Sequence, residues 1–459
     1  MQFSLRHSAR GEIVPEAYLH RVAEAMLLLA CLFSVGFFQP EFAVAGVHLA
    51  ELDLNLFVES RSGSNIFSQV KWIGLGAVAI ALVMLRTDRF LRLAALCWPL
   101  ILLMAIAAIT IVWSVDPGTT LKRTIRTSIF VFVVLTSLAY IRDWRRAVFV
   151  VYLAYWAMLL QNLAGLAIPG TFDLAGNFTG ATSQKNQLGI LAAIGIMVGA
   201  WVWTMLPDRM SKILNLSFVT LWFGLLALSV SKTALALIVV VPILMIGFFA
   251  VADLLRVGVG VAMTLIFGLF FAGLGLVNAM LGMTPMALVH LIKDDVTFTG
   301  RTQIWAFLYD KLQESLIGGF GFGAFWGQGT ASPSLTAPYP YIWFLDSAHN
   351  GYLDIVANVG FIGIVGLAIL LVHFSLAVDH IARRDRRQAF AFWAIMFFIL
   401  SHNMMESSLL RPTETAMWFL FLFTYVTAIS CVGGMRRGET LGEEHEASRD
   451  GAPLPAAAT

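Results

Sequence analysis

Residues 233–251 read TALALIVVVPILMIGFFAV, an uncharged stretch closed at its start by Lys232. A helix needs roughly 20 apolar residues to cross the hydrocarbon core of a bilayer. This stretch has the length of one membrane span. Working outward, little more than Ser229–Val230–Ser231–Lys232 separates it from a second apolar run at 213–230, and the pair reads as a tight hairpin. The same hydropathy criterion gives further spans near 18–38, 68–85, 93–113, 124–141, 147–168, 187–206, 257–281, 350–378, 389–406 and 416–432. The 459-residue chain is 59% hydrophobic and 13% charged, whereas a soluble domain is about 45–50% apolar and about 25% charged. The expectation is an all-α polytopic membrane protein of about twelve transmembrane helices.

Organisation follows from these spans. Residues 1–17 read as a cytoplasmic tail, 18–281 as transmembrane helices 1–9, 282–349 as one large extracytoplasmic loop, 350–432 as helices 10–12 and 433–459 as a disordered cytoplasmic tail. With both termini in the cytoplasm, RDWRR (142–146), RRDRR (383–387) and most of the 30 Lys and Arg residues lie inside, as the positive-inside bias requires. The net charge of +2 is too small to argue for a nucleic-acid partner. Cys31, Cys97 and Cys431 sit in or beside apolar runs without ligand spacing. They read as core fillers, with neither a disulfide nor a metal role. The first apolar run is long enough to span and is not followed by a small-residue cleavage site.

Cations left on the outer side run against that bias and mark candidate chemistry. Lys122, Arg123 and Arg126 share one helix face, Lys185 lies in GATSQKNQLG (180–189), Lys232 in LSVSKTAL (228–235), and Arg301 in GRTQIW (300–305). If those helix ends converge they form a positive pocket for a lipid-linked phosphate or pyrophosphate, with Arg offering forked donors and Lys a point charge. The alternative is that they snorkel to ordinary headgroups. His349, in SAHNGYLD (347–354), stands where the loop returns to the membrane. It is either a general base or simply part of a helix cap with Asn350. Asp354, one turn beyond Asn350, would orient His349 or hold substrate. The glycines of GGFGFGAFW (318–326) permit either close backbone approach to a ligand or a tight turn, and no GK[ST] follows to make a P-loop. His402, Asn403 and Glu406 return to the outer side after the eleventh span, where a carboxylate would meet the cationic pocket. Asp294–Asp295 is the one close acidic pair on the outer side, without DxD or HExxH, so the expected site is metal-free.

FTGRTQIWAF (298–307), GGFGFGAFW and SAHNGYLDIVANVGFIGI (347–364) together resemble the O-antigen ligase and polymerase superfamily, the Wzy/WaaL-type membrane glycosyltransferases. Within it the exopolysaccharide polymerases of the ExoQ type are most similar, also through GATSQKNQLG and SHNMMESSLL (401–410). The resemblance covers roughly Asp173 to Leu410. It implies a GT-C-like helical fold in the cell inner membrane and transfer of a glycan from undecaprenyl pyrophosphate to a sugar hydroxyl, without metal or other cofactor. It also implies a chain-length-regulating membrane protein as partner. His349 matches the loop histidine proposed as general base, and Arg301 the loop arginine that contacts pyrophosphate. Lys232 stands where many members have arginine, and Ser315 where many have proline before the glycine-rich motif. Two other functions stay open: a ligase passing the glycan to a lipid A core or a protein, and a transporter, which would instead place its charges and broken helices near the bilayer midplane.

Overall fold

The computed structural model describes residues 15–40, 66–141, 143–168, 170–173, 175–182, 184–281, 301–326, 331–411 and 415–449. The remainder of the expected loop, 282–300 with Asp294–Asp295 and Gly300 and also 327–330, lies outside the described residues, as do both chain ends.

The described chain is almost wholly helical: α1 (Glu16–Ser34), α2 (Ile66–Leu85), α3 (Thr87–Leu96), α4 (Trp98–Ile109), α5 (Pro117–Tyr140), α6 (Trp144–Gly165), α7 (Lys185–Trp203), α8 (Arg209–Ser229), α9 (Lys232–Leu255), α10 (Val259–Leu281), α11 (Arg301–Leu312), the single turn α12 (Pro340–Trp343), α13 (Gly351–Ala382), α14 (Arg386–His402) and α15 (Ala416–Arg449). In hydrocarbon the backbone must satisfy its own polar groups, which only helices and closed barrels do. Asp116, Asp143, Asp208 and Asp385 cap α5, α6, α8 and α14 by accepting main-chain N–H groups. The α8–α9 hairpin is as tight as the sequence requires, with Val230 at φ 50° turning the chain before Ser231.

Nine of the described helices are long and apolar enough to cross a membrane, ten if α2 and α3 count as one span. All twelve expected segments fall on helices, but those at 93–113 and 389–406 fall short, and that at 68–85 passes only when α2 and α3 count together. The segment expected at 93–113 breaks at Cys97, ahead of Pro99, leaving the short α4; α2 and α3 meet at 107°. A proline near a helix start is tolerated, yet one inside a continuous span would cost a hydrogen bond. The segment expected at 389–406 is the short α14. Conversely, α15 runs to Arg449, past the exit expected near 432. Over its apolar length α15 is 78% buried and α10 only 17%, so α15 is central and α10 peripheral. The three cysteines are buried and free.

A second, smaller apolar cluster lies outside the main bundle core. It joins Ile304, Phe307, Leu308, Phe325, Trp326 and Ile342 to Ala348 and Ala357. Its floor is α13, which is broken at Gly360 (φ 75°, ψ −175°). The break exchanges helical hydrogen bonds for loop ones. The Ala357 and Asn358 carbonyls accept from Phe320 N–H (2.8 Å) and Gly321 N–H (3.1 Å), and Phe361 N–H donates to the Leu316 carbonyl (2.9 Å), so the freed groups stay satisfied. The glycine-rich motif therefore serves close approach to the protein's own backbone. A Cβ on Gly360 would fall 1.9 Å from the Ile317 carbonyl oxygen. Gly360→Ala is expected to lower stability by about 2–4 kcal/mol, read as a depressed unfolding midpoint of the purified protein in detergent.

Candidate active site

Three segments far apart in sequence meet at one end of the bundle: the start of α11, the turn into α13 and the turn after α14. Glu406 joins them. Its Oε1 accepts from Arg301 Nη2 at 2.9 Å, and its Oε2 lies 3.2 Å from His349 Nδ1. The arginine and glutamate side chains are 17% and 19% exposed, the histidine 33%, so the imidazole is the member most open to a ligand. Burial by itself would raise the Glu406 carboxyl, but the hydrogen bond and charge of His349 and the charge of Arg301 outweigh it, and its pKa lies below the ordinary glutamate value.

The backbone at His349 is held on both sides. Ala348 N–H donates to both oxygens of Asp354 (3.1 Å each), and the Ala348 carbonyl accepts from Trp305 Nε1 (2.9 Å). His349 itself adopts φ 50°, a left-handed conformation uncommon for residues other than glycine, although histidine is among those that take it more often. Asn350 is the cap of α13, its Oδ1 accepting from Tyr352 N–H and Leu353 N–H (3.1 Å each), while its Nδ2 donates to the Met404 carbonyl (3.1 Å). Capping thus falls to Asn350, and the imidazole turns to Glu406. Asn350→Ala is expected to cost about 1 kcal/mol, seen as a lower unfolding midpoint.

Asp354 is buried and bonded to Trp326 Nε1 (2.6 Å) as well as Ala348. Its carboxylate holds the backbone just before His349. Asn403 is also buried. Its Oδ1 accepts from Ser408 N–H (2.9 Å) and Leu409 N–H (3.0 Å), shaping the turn that carries Glu406. That turn docks on the start of α13, where Gly351 N–H donates to the Asn403 and Glu406 carbonyls (2.8 and 3.1 Å). His402 lies beneath, buried and stacked on Phe398, with its Nδ1 lacking a partner. Arg411 ties the same turn to the loop through Asp346 (2.9 Å) and the Ser407 carbonyl (3.2 Å).

The other cations are placed differently. Arg123 Nη1 donates to the Gly323 carbonyl (2.6 Å) and so fastens the glycine-rich strap to α5; Arg126 lies about one turn further along the same helix, half-buried. Lys185 and Lys232 start α7 and α9, whose ends touch where a Cβ on Gly189 would lie 2.3 Å from that of Ser231. Among the described residues no hydrogen bond or ion pair joins either lysine to Arg301, Glu406 or His349. Ser315, the residue in place of proline, donates through Oγ to the Gly319 carbonyl (2.9 Å). Sequence reasoning gives Glu406 only as a carboxylate that would meet the cationic pocket and assigns Arg411 no role. The cluster SHNMMESSLLR (401–411), polar residues in the turn between two apolar helices, is the signal that points to both.

The sequence is similar to known proteins. The O-antigen ligase family profile matches residues 216–368, which hold Lys232, Arg301, the glycine-rich motif, His349, Asn350 and Asp354. Exopolysaccharide production protein ExoQ of Rhizobium meliloti (strain 1021) is 24% identical over 386 residues, spanning 81% of this chain and 85% of that protein. With its multi-pass helical bundle and this loop-and-turn site, the chain is similar to the O-antigen ligase family over residues 216–368 and to ExoQ over most of its length.

Proposed function

We propose that the protein polymerises undecaprenyl-pyrophosphate-linked oligosaccharide repeat units into exopolysaccharide on the outer face of the cell inner membrane. The observation that carries this reading is the Arg301–Glu406–His349 bridge. With Glu406 accepting from Nδ1–H, the neutral imidazole keeps its Nε2 lone pair for a proton. The acceptor sugar's hydroxyl gives that proton to His349 as its oxygen bonds to the donor's anomeric carbon, and the bond from that carbon to the pyrophosphate oxygen breaks. Arg301 spends one donor on Glu406, and its other N–H groups face the charge that grows on the leaving group. Arg126 and Arg123, with Lys185 and Lys232 at helix starts of the same end, add positive charge for the lipid-linked phosphates. These cations supply what a metal would otherwise supply, so the reading needs none. A single displacement inverts the anomeric centre.

The loop side of the chain is extracytoplasmic, both termini are cytoplasmic, and a chain-length-regulating membrane protein acts as partner. A second reading, transfer of the glycan to a lipid A core or protein, is favoured by the description of the matching family as O-antigen ligase.

One experiment separates these readings. Cells lacking the gene receive wild type or Arg301→Ala at equal membrane level, and surface glycans and lipid-linked oligosaccharides are sized. Loss of long polysaccharide with single lipid-linked units accumulating on the outer face is the expected result. Long polymer that stays on its lipid identifies a ligase, and units trapped on the inner face reject both readings.

A further inference from the structure

At the end of the bundle opposite the candidate active site lies a cavity of about 780 Å³. Along α5 it is about 22 Å away from Arg123, counting the 15 residues to Leu138 at the helical rise. Arg86, Arg89 and Arg92, each three residues apart, line it together with Asp88. Arg89 and Arg92 belong to α3, the short helix that turns 107° away from α2, and Arg86 stands at the bend between the two. A short helix so turned, with Arg89, Arg92 and the apolar Leu93 on one wall of the cavity and Ala94 buried, is the kind that lies in the interfacial layer of a bilayer.

The guanidinium groups are unequally engaged. Arg92 pairs with Asp88 on the same helix, at the rim. Arg89 is anchored through Nη2 to Glu16 of α1, and its Nη1 is buried without a hydrogen-bond partner. The guanidinium edges that face the cavity are well shaped for phosphate oxygens. The rest of the wall is apolar: Leu93, Leu96, Leu138 and Ala139. A soluble anion gains nothing from such walls, whereas an amphiphile satisfies both parts of the cavity at once.

We propose that this cavity binds the headgroup phosphate of an anionic phospholipid, with its acyl chains along Leu96 and Leu138. The bound lipid then ties α1, α3, α5 and α15 together at the end that the arginine distribution assigns to the cytoplasm.

The test uses the full-length protein in phosphatidylcholine nanodiscs containing a minority of phosphatidylglycerol, extracted gently and weighed by native mass spectrometry. Wild type is expected to retain phosphatidylglycerol over phosphatidylcholine. The double variant Arg86→Gln/Arg89→Gln should retain about tenfold less, and Leu96→Trp, which fills the apolar wall but keeps every charge, should also retain less. Glu16→Gln, which frees Arg89 while leaving it charged, should keep wild-type retention and controls for loss of the ion pair. Three outcomes overturn the proposal: equal retention of both lipids, undiminished retention in both the double variant and Leu96→Trp, or displacement by inorganic phosphate at matched concentration, which would identify a free-anion site. None of these readouts depends on glycan synthesis.

Discussion

Replacing His349 with Gly is expected to stop polymer formation without weakening the fold. In vesicles carrying the protein and lipid-linked repeat units, the rate of chain growth should fall by about 10²–10⁴-fold, the usual contribution of a positioned proton acceptor. Glycine is the informative replacement because the backbone there sits at φ 50°, which glycine adopts without strain. The unfolding midpoint should therefore match or exceed that of wild type. His349→Ala should lose the same activity and also some stability. Polymer made by the glycine variant at a near-native rate would remove His349 from the chemistry. A fall in both midpoint and activity would mean that the ring's packing matters more than its proton.

Glu406→Gln should reduce the rate by about 10–100-fold, the typical loss when a group that orients a reacting imidazole is neutralised. The amide keeps the shape of the carboxylate but cannot accept from both Arg301 and His349 with full charge. The effect on stability has a definite pH sign. The folded-state pKa of Glu406 is lowered, so its ionised form adds stability above the ordinary glutamate value of about 4.3, and that contribution disappears as pH falls through the lower folded value. The difference in unfolding midpoint between wild type and Glu406→Gln should persist from neutral pH to about 5 and close only in stronger acid. A gap that closed already near pH 6 would show that the carboxylate is not held down by its two partners.

Much of this architecture was legible in the residues. Apolar length fixed where helices run, and tight junctions such as Ser229–Lys232 appear as expected, because in a bilayer hydropathy and backbone satisfaction demand the same thing. Where the reading erred, at 93–113, a proline after Trp98 divided a run that hydropathy treats as continuous. For the site, the chemistry of His349 and Arg301 pointed to them as individuals. Their link through Glu406 was legible only as a carboxylate expected to meet the cationic pocket; that it joins Arg301 to His349 was not, since the residues are 105 and 57 positions from it and sequence spacing carries no record of such a contact. The glycine-rich motif illustrates a different limit. Glycines announce that something approaches closely but not what, and here it is the broken stretch of α13.

That break at Gly360 also sets where the protein can be cut and exchanged. The first nine residues of α13 are bonded to the glycine-rich strap, packed in the loop's own apolar cluster and attached to the candidate base through Asp354. Mechanically they travel with the loop. A chimera that swaps acceptor or donor preference between relatives should therefore place its seam just after Gly360 and take the 401–411 turn along, whereas a seam at the apparent membrane boundary near 350 would divide one working part between two parents.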